Sequence, residues 1–294
     1  MNIGHRIVRK IRSKLAPQQI PPPPLLLSAF NITSLSAPGE KPLFSHSGNA
    51  GDIIFSCALL KAFWKHTGKK VHLHLQTDIP VMYPEAHPLK NVLLNQRIAE
   101  QLEPALRMQT YIADVSIGPA CPDQAVDLSS FRRLPFEHRI GLIQGWYQLC
   151  TDIWIDLFEP WMDASKLPEY KNTILVSRTN RLRSDYINYR FLAQYAENLV
   201  FIGLPEEYSS FNAETGFECH AMTVKSFDQL LNIIHSCRLF VGNQGLAYSI
   251  AESVKCPRVL ESNSIAPNNY PLSPNGRIAL FQEQFESFVR TLLV

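Results

Sequence analysis

Two stretches of this chain combine glycine with small polar side chains where an apolar strand gives way to a helix. The first is Ser47-Gly48-Asn49-Ala50-Gly51-Asp52, preceded by His46. The second is Val241-Gly242-Asn243-Gln244-Gly245-Leu246, running on through Ala247, Tyr248 and Ser249. Glycine lets a ligand approach the backbone, and the N–H groups of a first helical turn have no acceptor within the helix. Such a junction takes an anion, a phosphate above all. Asp52 adds a carboxylate at the mouth of the first turn. It can cap the helix and gain from its dipole, or accept a proton from a sugar hydroxyl as general base.

Further groups fall near strand ends. Arg178, Thr179, Asn180, Arg181 and Arg183 follow the apolar segment Thr173 to Ser177. Arginine donates in a fixed fork that suits a diphosphate, whereas a solvated loop needs no such cluster. Gly203 ends the next strand before Pro205, Glu206 and Glu207. Glu252, within the helix after Gln244, and Glu261, at the end of the strand after that, are candidates for ribose hydroxyls. His72 and His74 share a strand face, but no third ligand is placed beside them, so they read as ordinary strand residues. His46 is the better functional candidate.

The elements that must position these groups alternate between strand and helix. Pro42 to His46 reads as a strand, Asp52 to His66 as a helix stopped by Gly68, and Val71 to Leu75 as an alternating strand. A helix over Asn95 to Met108, a strand at Tyr111 to Ile117, a loop at Val126 to Leu128 and a helix from Glu137 to Cys150 complete the first half. Ile153 to Pro168, with Trp154 and Trp161, reads as the connection between halves. The second half offers strands at Thr173 to Ser177, Leu199 to Gly203, Arg238 to Val241 and Pro257 to Glu261. Its helices fall near Tyr189 to Ala196, Ser226 to Ser236, Gln244 to Val254 and Phe281 to Leu293. This alternation predicts α/β architecture with mostly parallel sheets.

The 294 residues are enough for two domains, and 46% hydrophobic with 18% charged is a globular composition. No apolar run is long enough to cross a bilayer as a helix. Six scattered cysteines without C-x-x-C spacing read as reduced thiols, which fits a cytoplasmic setting. Net charge is +2, yet Arg6, Arg9, Lys10, Arg12 and Lys14 lie within the first 15 residues. The remaining 23 basic residues face 26 acids, so the body is about −3 and offers no nucleic-acid groove. Ile3, Ile7, Val8, Ile11 and Leu15 give that segment an amphipathic pattern. It reads either as a peripheral anchor to an anionic membrane surface, or as a frayed basic tail or a helix docked on the protein itself. Pro17 and Pro21 to Pro24 form a stiff spacer behind it.

The run from Gly48 to Phe63, GNAGDIIFSCALLKAF, resembles the amino-terminal signature of the heptosyltransferase-like enzymes of glycosyltransferase family nine. Val200 to Glu261 resembles their second domain. The turn Gly203-Leu204-Pro205-Glu206 stands for their G-x-x-E, and Asn243 to Ala251 for their D-[ST]-G-x-x-H-x-x-A. The resemblance spans roughly Leu43 to Leu272 and is dilute between Val81 and Ile174. It implies a GT-B-like fold: two Rossmann-like domains facing a cleft, with a C-terminal helix crossing back to the first domain. Expected boundaries are a tail and linker over 1–24, an acceptor-side domain over 25–160, a nucleotide-sugar domain over 161–278 and the last helix over 279–294.

The implied activity is inverting, metal-independent transfer from a nucleotide sugar to a glycan or lipid-linked envelope acceptor, with no cofactor. Asp52 is then the base, with His46, Ser47, Gly48, Asn49 and Gly51 around the acceptor. Arg178, Thr179, Arg181, Arg183, Gly203, Asn243, Gln244, Gly245, Leu246 and Tyr248 face the donor, and Glu252 or Glu261 its ribose. Asn243 and Gln244 replace an acid and a hydroxyl residue, and Tyr248 a histidine. These departures imply a donor other than ADP-heptose. They also leave room for a catalytically silent nucleotide- or glycan-binding module, or a nucleotide-sugar epimerase or hydrolase.

Overall fold

The computed structural model describes residues 41–82, 89, 91–133, 141–148 and 151–294. The basic segment, the proline spacer and Leu25 to Ile32, whose sequence suits a first strand or an edge element, lie outside the described residues, as does much of the helix expected over Glu137 to Cys150.

Strands β1 (Leu43–His46), β2 (Val71–Gln76), β3 (Ile112–Gly118) and β4 (Val126–Asp127) form a sheet of order β3-β2-β1-β4, parallel throughout. Helix α1 (Ala50–Thr67) follows β1 and α2 (Gln96–Arg107) precedes β3. Gly68 stops α1 in the left-handed region at φ 73°, as its position suggests. After β4 come a 3-10 helix, Leu128–Arg133, and a short helix α3 (Ile143–Trp146).

The second sheet contains β5 (Ile174–Ser177), β6 (Leu199–Ile202), β7 (His220–Met222), β8 (Leu239–Asn243), β9 (Arg258–Glu261) and β10 (Gly276–Ala279). Their order, β10-β9-β8-β5-β6-β7, is again all parallel. Helices α4 (Pro205–Thr215), α5 (Phe227–Ser236), α6 (Leu246–Val254) and α7 (Gln282–Leu293) connect and cover it. Two expectations shift here. The segment near Tyr189 to Ala196 is a 3-10 helix, Arg190–Asn198, and the short strands β7 and β10 are additional.

Counted within the second half, the strand order is that of a doubly wound dinucleotide fold, and the first sheet repeats its first four positions. In such sheets ligands bind outside the carboxyl ends of the strands, where the order reverses. The reversal falls between β5 and β8 in the second sheet and between β1 and β4 in the first. Both glycine-bearing turns leave from those places.

The central strands β5, β8 and β9 of the second sheet are buried on both faces. Ile174 and Val176 of β5, Leu239 and Val241 of β8 and Val259 of β9 face one core. Leu175, Phe240 and Leu260 face the other, following the two-residue period of a strand. The first of these cores receives Phe285 and Val289 of α7. The last helix therefore lies on the outer face of its own sheet, and among the described residues the expected crossing back to the first domain is not found. A helix with one apolar stripe can cover only one partner.

The other core runs continuously between the sheets. It joins Ile53, Ile54 and Leu60 of α1 to Tyr248, Ile250 and Ala251 of α6 and to Leu231 and Ile234 of α5. α1 is apolar on most sides because it has the first sheet behind it and α6 in front. Trp161, 1% exposed, seals this junction. Its Nε1 donates to the Ile54 carbonyl at 2.9 Å, its backbone N–H donates to Ser253 O at 2.9 Å, and its carbonyl accepts from Tyr111 Oη at 2.9 Å. Trp154, expected beside it, stands 80% exposed.

Candidate functional site: two helix starts in contact

The first turns of α1 and α6 abut. A Cβ built on Gly51 would stand 2.8 Å from Ser249 Oγ and 3.9 Å from the carbonyl of Gly245, so a side chain there would force the Ser249 hydroxyl to move. Neither helix carries a side-chain cap: Asn49 and Gly245 both occupy cap positions without capping hydrogen bonds. Two positive dipole ends therefore meet here, although in α1 the Asp52 N–H already donates to the Asn49 carbonyl at 2.9 Å.

Asp52 lies in the first turn of α1, nearly buried, and its Oδ2 accepts from Nη2 of Arg132. Arg132 belongs to the 3-10 helix Leu128–Arg133, so the ion pair ties that helix to the glycine turn. No residue spacing near Asp52 announces Arg132, which arrives 80 positions later.

Beneath the turn is a closed polar network. Nδ1 of His46 accepts from the Gly48 N–H at 2.9 Å, so its other nitrogen carries the proton and donates to Tyr147 Oη at 3.0 Å. Tyr147 Oη in turn donates to the Asp52 carbonyl at 2.9 Å. Full burial lowers the His46 pKa from 6.5 to about 3, the Asp52 charge only partly opposing this and Arg132 adding to it. His46 is thus a neutral strut. Gly48 is obligatory here, since a Cβ would sit 2.6 Å from His46 Cε1 and 3.2 Å from Asp52 Oδ2. Ser47 is bound through its N–H and hydroxyl to Ser129 Oγ, at 2.7 and 3.0 Å.

On the facing side, Asn243 bridges the reversal point of the second sheet. Its Oδ1 accepts from Thr179 N–H at 2.9 Å, and its Nδ2 donates to the carbonyls of Thr179 at 3.1 Å and Arg181 at 2.7 Å. The strands are so close that a Cβ on Gly242 would meet Ser177 O at 2.3 Å. Gln244 is buried and its Nε2 donates to Ala266 O and Asn268 Oδ1, both at 2.7 Å. Both side chains are thus spent on shaping the turn rather than left facing outward. Arg181 is exposed beside it; Arg183 is half-buried and pairs with Glu214 at 3.3 Å.

Four expected donor contacts are corrected. Arg178 is buried with every arm of its guanidinium engaged. It binds Glu261 through Nε at 2.8 Å and Nη2 at 2.9 Å, Ile187 O through Nη2 at 2.9 Å, and Glu214 through Nη1, while its Cζ stacks 4.6 Å from the Tyr189 ring centre. Glu261 is fully buried in the same knot, accepting also from Tyr189 Oη at 2.9 Å and Ser184 N–H at 2.6 Å. Glu252 is equally buried, held by Lys255 Nζ at 2.5 Å and Arg258 Nε at 2.6 Å. Tyr248 points into the shared core. These charges are consumed by pairing, because an unpaired ion at such burial is untenable. Gly203 is exposed at the end of β6, where Glu207 accepts from Leu204 N–H at 2.9 Å and caps α4.

Of the strand histidines, His74 Nδ1 pairs with Ser116 Oγ at 2.9 Å. Among the described residues no three His, Cys, Asp or Glu side chains are grouped to hold a metal ion, and no helix is long and apolar enough to cross a membrane.

Two parallel sheets with glycine turns at their reversal points, meeting along α1 and α6, define a GT-B-like fold. No family model matches the chain, and no curated protein sequence matches it. Solved structures do. A glycosyltransferase family 9 protein from Veillonella parvula DSM 2008 matches with a TM-score of 0.57 at 12% identity, covering 86% of this chain and 97% of that one. The E. coli ADP-heptose LPS heptosyltransferase II matches with a TM-score of 0.53 at 11% identity, covering 86% and 98%. The chain thus has the fold of the family-nine heptosyltransferases in divergent form.

Proposed function

We propose that this protein is a glycosyltransferase that takes its sugar from a nucleotide-sugar donor. The reading rests on one observation above the others: Gly51, in the first turn of α1, packs against Ser249 in the first turn of α6, with the Gly245 carbonyl just beyond. A diphosphate at that seam meets first-turn amides of α6, the positive ends of both helices and the exposed Arg181. The acceptor hydroxyl loses its proton to Asp52 and attacks the anomeric carbon. The bond from that carbon to the diphosphate oxygen breaks, and the configuration inverts. Charge growing on the leaving diphosphate is stabilised by fixed N–H dipoles without the help of a metal. Glycan or lipid-linked acceptors suit the reading, with the basic segment near the N-terminus meeting an anionic membrane.

A second reading is favoured by the Arg132–Asp52 ion pair, which occupies one oxygen of the proposed base. On that view the protein binds a nucleotide or glycan without turning it over. The test is a thermal-shift panel of ADP, UDP, GDP and their sugars, followed by assays for transfer. Transfer that disappears in Asp52→Asn while the nucleotide shift persists supports the enzyme. A shift without turnover in the native chain supports the binding module. Full turnover in Asp52→Asn removes the base assignment.

A further inference from the structure

Far from the two helix starts, the C-terminal half of α1 borders a cavity of about 400 Å³. Ala58, Lys61, Ala62, Lys65 and His66 line one wall, and the connector contributes Asp152, Trp154, Asp156 and Glu159. The helical spacing is i, i+3, i+4, i+7 and i+8, one face of α1, and its two alanines provide the room. At 1.5 Å per residue this wall begins more than about 10 Å from the α1 start and extends to roughly 25 Å from it.

The connector explains the rim. Ile153 and Ile155 are buried while Asp152, Trp154, Asp156 and Phe158 face outward, Trp154 at 80% and Phe158 at 64% exposure. An extended segment pinned by alternate isoleucines holds the indole out at the edge of a polar hollow. Trp161 anchors the far end of this segment. Nothing in the site at the helix starts requires such an indole.

We propose that this hollow binds an uncharged oligosaccharide. A sugar ring presents an apolar C–H face that suits an indole and a rim of hydroxyls that suits carboxylates and amines. The charges decide between ligand classes. Lys61 is committed to Asp163 at 3.2 Å and to Pro160 O at 3.2 Å. Lys65 and His66 then stand among Asp152, Asp156 and Glu159. With Lys65 set against three carboxylates the wall is net negative, so it repels a phosphate and opposes an anionic lipid surface, which needs a net positive field. Hydroxyls, which both donate and accept, fit a wall of mixed sign. The proposal stands apart from the glycosyltransferase reading, because it concerns a second place on the molecule.

The experiment titrates the full chain with maltohexaose, cellohexaose and mannohexaose, following tryptophan emission and heat of binding. Of the four tryptophans, Trp154 is the exposed one. At least one hexaose is expected to shift the emission and saturate. Trp154→Ala should weaken that binding by about tenfold or more, and Trp154→Phe by only about threefold, since a ring remains. Ala62→Phe, which fills the hollow, should abolish it, while nucleotide-induced thermal shifts stay unchanged in all three variants. Silence towards all three sugars at millimolar concentration overturns the proposal. So does binding that survives both Trp154→Ala and Ala62→Phe, or Trp154-dependent sedimentation with phosphatidylglycerol vesicles in place of sugar binding.

Discussion

Nε2 of His46 lies 3.0 Å from the hydroxyl of Tyr147, which passes the hydrogen bond on to the carbonyl of Asp52. The chain of bonds runs from the end of β1, through a residue 101 positions away, to the first turn of α1. It fixes the backbone that carries the proposed base without touching its carboxylate. The geometry demands a neutral imidazole, with Nδ1 reserved for the Gly48 N–H.

That demand makes stability depend on pH. Burial takes the His46 pKa from 6.5 down to about 3. Between those values the unfolded chain holds a proton that the folded one lacks. The contribution is complete above pH 6.5 and is lost as pH falls, by up to about 1.4 kcal/mol per unit, until the folded value is reached. Urea denaturation at pH 7, 6 and 5 should show this slope, and His46→Asn should flatten it, despite lower stability at pH 7. Parallel slopes in the two proteins would contradict a neutral buried His46. Tyr147→Phe, which strands the buried His46 Nε2–H donor, should cost about 1–3 kcal/mol at pH 7.

The contact between Gly51 and Ser249 can be tested by a double-mutant cycle. A methyl on Gly51 collides with Ser249 Oγ at 2.8 Å, but with Ser249 Cβ only at an ordinary 3.7 Å. Gly51→Ala alone should cost about 1–3 kcal/mol by overpacking. Adding Ser249→Ala should recover most of that, giving a coupling of about 1 kcal/mol or more. Strict additivity of the two changes in urea denaturation would mean that the helix starts are not in contact. The same cycle read by nucleotide thermal shift asks whether the seam is the donor site.

Much of this frame was legible in the residues themselves. The strand–helix alternation, both glycine turns and the end of α1 at Gly68 follow from local rules of period and backbone freedom. What was not legible depends on partners brought together by the fold. Arg178 looks like a phosphate ligand from its loop, and only the arrival of Glu261, 83 residues later, turns it into a structural knot. Glu252 sits at a plausible ligand position, yet Arg258 and Lys255 close on it within a single turn and strand. Trp154 and Trp161 share a segment and composition, and neither shows which will be buried. The last helix carries a clear apolar stripe, but a stripe does not name the sheet it covers.

The reassignment of Arg178 has its own consequence. If its fork serves Glu261, Glu214 and the Ile187 carbonyl, Arg178→Lys keeps the charge yet loses the geometry. Breaking a buried pair of this kind costs roughly 3–5 kcal/mol, and the loss should appear in urea denaturation with or without nucleotide. Glu252→Gln should behave alike, leaving Arg258 buried without its counter-charge. By contrast Arg181→Ala, at an exposed position, should leave stability within about 0.5 kcal/mol and act on donor affinity alone. A stable Arg178→Lys protein with weakened nucleotide binding would return Arg178 to the donor site.

Trp161 offers the sharpest test that the two sheets act as one folding unit. Its indole binds α1 through Ile54, its backbone binds α6 through Ser253, and Lys255 Nζ lies 4.5 Å from its ring centre. Trp161→Phe keeps most of the volume and removes one donor. The Ile54 carbonyl sits inside α1, where a helical bond remains available to it, so the loss should be about 1 kcal/mol. Trp161→Ala empties the junction and should cost about 3–5 kcal/mol. Because the residue joins core packed against both sheets, the native chain should melt in a single calorimetric transition and the variant in two. A Trp161→Ala protein that melts in one sharp step near the native temperature would mean that α1 and α6 hold the sheets together without it.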